Sequence, residues 1–107
     1  VSLTDDNRTC VELWQIIAHY GYAHQKGKAI EELTELAQAL SRDLQGDGDR
    51  MNIAEEMADC CIMLGQLQLI YGNAPEVERA VDEKIGRTLA KIEAERKGID
   101  DRGRGGD

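Results

Sequence analysis

Phenylalanine is absent from the 107-residue chain, and Trp14 with three tyrosines supplies every aromatic ring. The core must therefore be aliphatic, of Leu, Ile, Val, Ala and Met, residues that suit helix packing. Proline occurs once, at position 75, and the glycines cluster outside periodic stretches, so little interrupts long helices. Cysteine is scarce: Cys10, Cys60 and Cys61 show no zinc spacing, and an odd count with two adjacent members makes a poor disulfide framework. Reduced intracellular thiols are the expectation. No apolar run approaches the roughly 20 residues of a membrane span, and no signal-peptide pattern opens the chain. Both point to a cytoplasmic protein with no membrane partner. Positive charge is also short, with 13 Lys and Arg against 21 Asp and Glu for a net charge of −8. That balance leaves no basic footprint for nucleic acid or an anionic membrane. Phosphate can still be bound through metal ions.

What is present is helical periodicity. The length suits one domain with a modest core. A first helix over about 6–20 carries Cys10, Leu13, Trp14, Ile17 and Ala18, with Thr4, Asp5 or Asp6 as cap and Gly21 as stop. After a Gly-Tyr-Ala-His link, a second over about 24–44 carries Ile30, Leu33, Ala37, Leu40 and Leu44 in alternating steps of three and four, the rhythm of a packing seam. Residues 45–49 read as a loop, and Asn52 as the cap of a third helix ending near Tyr71. That helix is apolar on two sides, Ile53, Met57, Cys60, Leu64 and Leu67 on one and Ala54, Ala58, Ile62 and Leu69 on the other. Double burial of this kind predicts an oligomer. Pro75 fits the first turn of a fourth helix bearing Val77, Val81, Ile85, Leu89 and Ile92. The expectation is an oligomeric all-α four-helix bundle over 1–97, with a disordered tail over 98–107.

Two phrases stand out, Glu31-Glu32-Leu33-Thr34-Glu35 and Glu55-Glu56-Met57-Ala58-Asp59. Acidic residues three apart stack about one turn apart on one helix face. Two such helices facing each other converge Glu32, Glu35, Glu56 and Asp59, with Glu31 and Glu55 pointing further outward. Carboxylates in that arrangement repel unless cations enter or the geometry keeps them apart as ordinary solvated charges; with cations, oxygen-only ligands select a hard ion, Mg²⁺ or Mn²⁺. A carboxylate-bridged di-iron site would need Glu-x-x-His, which neither phrase supplies. Gln25 and Lys28 extend the acidic stripe of the second helix. Lys84, Arg87 and Lys91 flank the apolar stripe of the fourth, placed either to meet an anion or to pair with acidic helices. Trp14 reads as core filler or as a stacking surface for a base.

With Glu32-Leu-Thr-Glu35, twenty intervening residues and Glu56-Met-Ala-Asp59, preceded by Lys28-Ala-Ile-Glu31, the chain resembles the MazG-like all-α nucleoside triphosphate pyrophosphohydrolases over roughly residues 25–70. The resemblance implies Mg²⁺-dependent hydrolysis of a (d)NTP to (d)NMP and pyrophosphate by a homodimer or homotetramer. It places metal at Glu32, Glu35, Glu56 and Asp59, with Glu35 orienting or deprotonating the water. Gln25, Lys28, Lys84 and Arg87 would hold base, sugar or phosphates. Phosphoribosyl-ATP pyrophosphohydrolase has a similar phrase, but its Leu-Tyr-His signature is replaced here by Cys60-Cys61-Ile62-Met63. A helical bundle that binds nucleotide or a partner without hydrolysis is the competing expectation.

Overall fold

In the computed structural model, which describes the backbone of residues 3–105 and the side chains of residues 3–99, the chain is all-α. It runs from a 3₁₀ turn at Leu3–Asp5 through α1 (Asn7–Tyr20), α2 (Tyr22–Leu44) and α3 (Arg50–Tyr71) to α4 (Ala74–Gly105). No strand occurs among the described residues. The contacts divide the chain into two compact units, one ending at Asn73 and the other starting at Ala74.

The helix ends follow from local chemistry. Asp6 caps α1: its carboxylate accepts from the Thr9 backbone N–H at 3.2 Å and from the Thr9 hydroxyl at 2.7 Å. These bonds hold the Asp6 carboxyl below its ordinary pKa, the side-chain bond contributing most. Gly21 ends the helix with φ 92° and ψ 158°, a conformation almost closed to other residues. The expected four-residue link is therefore one residue long, because α2 restarts at Tyr22 as soon as the glycine has turned the chain. The 45–49 loop is as expected, but its last residue Asp49, and not Asn52, caps α3. Asp49 Oδ1 accepts from the N–H groups of Met51 and Asn52. Asp49 stands where the backbone is still extended, whereas Asn52 already lies inside the first turn.

In the first unit, α2 and α3 form an antiparallel hairpin, and α1 with the 3₁₀ turn packs against α3. Gly65 permits that approach. A Cβ there would lie 3.0 Å from Leu13 Cδ1 and 3.4 Å from Leu3 Cβ. The buried apolar residues are Leu13, Ile17, Ala29, Ala39, Cys60 and Met63, joined by three buried polar ones, Gln25, Glu32 and Gln66.

The expected seam of α2 is on the outside. Ile30, Leu33, Leu40 and Leu44 are exposed, Ile30 at 68% and Leu44 at 89%, as are Met57 and Leu64 of α3. The residues buried along the hairpin are instead Gln25, Ala29, Glu32 and Ala39 on α2 and Cys60, Met63 and Gln66 on α3, while Gly65 turns toward α1. Small residues let the two backbones approach, and the larger aliphatics stand to the side.

The second unit is α4 alone. Pro75 sits in its first turn, as its fixed φ and missing N–H favour. Val81, Ile85, Leu89 and Ile92 form an exposed apolar stripe. The helix continues past Gly98, where the sequence suggests a stop, to Gly105. A single glycine costs a helix only about 1 kcal/mol, and no proline follows it. The last two residues of the expected tail lie outside the described residues.

Candidate metal centre

The α2–α3 contact has a rotational logic that decides which carboxylates face inward. On α2, Gln25, Ala29, Glu32 and Ala39 recur at steps of four, three and seven, so Glu32 lies within the stripe that meets α3. Glu35 lies one turn further and about 40° from Ala39. On α3, Glu56 precedes the buried Cys60 by four residues and is about 40° from it, whereas Asp59 is about 100° away.

One carboxylate oxygen from each of Glu32, Glu35 and Glu56 lies within 4.8 Å of the others. Asp59 is exposed and is not part of that group, so the expected quartet is a trio here. Glu32 is 7% exposed. Its Oε1 lies 3.3 Å from Lys28 Nζ, and Lys28 also reaches Glu31 at 3.6 Å. The hydrogen bond to Glu32, followed by the charges of Glu31 and Glu32, raises the Lys28 pKa above its ordinary value.

Two oxygens of the group are unsatisfied. Glu32 Oε2 and Glu56 Oε2 are both buried and have no hydrogen-bond partner among the described residues. A buried polar atom without a partner is costly, and two carboxylate oxygens in one place are more so. One lysine cannot neutralise three carboxylates. The donor set fits a divalent hard cation: oxygens bound to one Mg²⁺ at about 2.1 Å span at most about 4.2 Å, which small side-chain rotations reach from the observed spacing.

Cys60 adjoins this group. Its thiol donates to the Glu32 carbonyl oxygen at 3.4 Å. Burial pushes its pKa up, and the charges of Glu32, Cys61, Glu56 and Asp59 add to the shift. Cys60 is a buried core residue of the helix contact.

The remaining sequence candidates are dispersed. Gln25 is buried in the helix contact, its amide paired with Gln66 and His24. Trp14 is partly exposed and packs obliquely on Tyr22, ring centroids 6.5 Å apart. Lys84 and Arg87 are exposed on α4, in the second unit. Gln66 has no place in the sequence reading. Its one signal was an amide, one of two with Gln68, in the mostly apolar stretch 60–71.

No family model, curated protein or solved structure matches the chain. No helix among the described residues is long and apolar enough to cross a membrane.

Proposed function

We propose that the chain is a Mg²⁺-dependent nucleoside triphosphate pyrophosphohydrolase, of the MazG-like type that its acidic phrases resemble, converting a (d)NTP to (d)NMP and pyrophosphate. The observation that carries this reading is that two of the three converging glutamates, Glu32 and Glu56, each keep a buried oxygen, Oε2, without a hydrogen-bond partner among the described residues. Ordinary surface glutamates are solvated and leave no such vacancy in their hydrogen bonding.

Glu32 and Glu56 would hold the cation, Mg²⁺ or Mn²⁺, from opposite helices. A bound divalent ion offsets triphosphate charge and acidifies a coordinated water. Glu35, the third member, would orient an attacking water or take its proton. Lys28 holds Glu32 and offers a positive charge at the edge of the group. Asp59, outside the trio, would join only by a rotamer change. Lys84 and Arg87 belong to the substrate side of the proposal through the resemblance alone, and Trp14 as a partly exposed ring on which a base could stack.

An assembly of two or four chains belongs to the same reading. It is supported by the exposed, heptad-spaced stripe Ile30, Leu33, Leu40 and Leu44, a surface that water solvates poorly.

The test is a panel of nucleoside triphosphates incubated with the protein and Mg²⁺, with pyrophosphate release as the readout. Release is expected for at least one nucleotide, and Glu56→Gln should abolish it while the circular dichroism of the helices is preserved. A folded wild-type protein that turns over no triphosphate would sink the proposal.

A further inference from the structure

Gln25 and Gln66 are nearly inaccessible, 3% and 1% exposed, although each carries a polar amide. Gln25 Nε2 donates to Gln66 Oε1 at 2.8 Å, joining residues 41 apart in sequence. His24 Nδ1 lies 2.7 Å from Gln25 Oε1 and donates to it, and Gln66 Nε2 turns toward Met63 Sδ at 3.8 Å. The pair is thus oriented from both ends. Such an amide pair contributes little net stability over apolar side chains of the same shape, yet losing one partner leaves the other unsatisfied. A buried polar pair therefore discriminates between alignments: only one places amide on amide.

Its position gives that selectivity a target. Glu35 lies ten residues after Gln25 on α2, and Glu56 lies ten residues before Gln66 on α3. In an antiparallel hairpin the amide pair and the carboxylate pair therefore share one register, about 15 Å apart at 1.5 Å per residue. The 45–49 loop fixes the opposite end of the hairpin. The carboxylates lie between the two. A splay of about 5° hinged at the loop, with the site about 15 Å away, would move Glu35 from Glu56 by about 1.3 Å. Preorganised sites tolerate about 0.5 Å. The loop and the Cys60–Glu32 bond hold the near side of the site, and the amide pair holds its far side.

We infer that the Gln25–Gln66 pair is a register clamp that closes the open end of the α2–α3 hairpin, making Gln66 a positioning residue for Glu32, Glu35 and Glu56. Its purpose rests on the metal-site reading, but its geometry does not. Gln25 is in this account a structural partner and no longer a substrate contact.

The experiment uses Gln25→Met/Gln66→Met, which keeps the straight side-chain shape and removes both amides. Two quantities are read on the full chain: Mn²⁺ affinity by titration of the ion's EPR signal, and the NOEs between Glu32 and Cys60 that report the native alignment. The expected result is a cooperative, fully helical protein with those NOEs lost or doubled and Mn²⁺ affinity weakened by about tenfold or more, the range for groups that orient ligands. Retained NOEs overturn the clamp whatever the affinity does. Lost NOEs with unchanged affinity overturn it too, since the site would then not depend on the alignment. If the wild-type chain binds no Mn²⁺, the metal reading fails, and the NOEs alone decide the clamp. Should the double variant not fold, Gln66→Asn keeps a buried amide but draws it back by about 1.5 Å, and the same two readouts apply.

Discussion

The two sides of α2 invert the usual division between core and surface. The side that meets α3 is small and polar, Gln25, Ala29, Glu32 and Ala39, while the stripe about 100° round the helix is large and apolar, Ile30, Leu33, Leu40 and Leu44, and exposed. Small residues bring the backbones close enough for Glu32 and Glu56 to face one another, and a leucine in their place would hold them apart. The inner side holds the buried amide and carboxylate. The outer side carries the apolar area that binding to another surface would use.

Ala39→Leu, on the inner side, should have the largest effect on stability. Added volume between closely packed helices costs about 1–3 kcal/mol, and urea denaturation should show it. A loss below about 0.5 kcal/mol would mean that the inner contact is loose. Glu32→Gln should act in the other direction. Without divalent ions it removes a buried, partly unpaired charge and should stabilise the chain by about 1–2 kcal/mol. With Mg²⁺ that advantage should shrink or reverse, because wild type gains from the ion and the variant gains less. Melting curves with and without EDTA read both.

On the outer side, Leu40→Gln should change the stability of an isolated chain by no more than about 0.5 kcal/mol. If a second copy covers the stripe, sedimentation should instead show dissociation to a lighter species. The smallest effect concerns Lys28. Its pKa is raised by Glu32 and Glu31, so its contribution is complete below its ordinary value of 10.5 and is lost as pH rises through the higher folded value. The melting temperature of wild type should approach that of Lys28→Met only above that range. Convergence at neutral pH would show that the pairing contributes nothing.

The helices were legible because their punctuation is local. Gly21, the 45–49 loop and Pro75 each act within a few residues of where they stand. The acidic phrases were legible as spacing, which is local, but which of their carboxylates turn inward depends on the rotation of each helix, which spacing does not set. The buried side of α2 was not. A reading weighted by hydrophobicity favours Ile30 and Leu33 over Ala29 and Glu32, and burial here follows how closely the backbones can approach. Asp59 shows the limit of spacing alone. It repeats the i, i+3 pattern faithfully, but Cys60 and Met63 set the rotation of α3 and leave it outside.

Gly21 joins α1 to α2 with a single residue, and Tyr20 stacks on His24 across that joint, ring centroids 5.0 Å apart. Mechanically the two helices are one bent lever with its fulcrum at Gly21. Gln25 lies about one turn beyond the fulcrum, and Leu13 of the other arm packs on Gly65 beside Gln66, so a push where Trp14 meets solvent arrives at the amide pair from both of its helices.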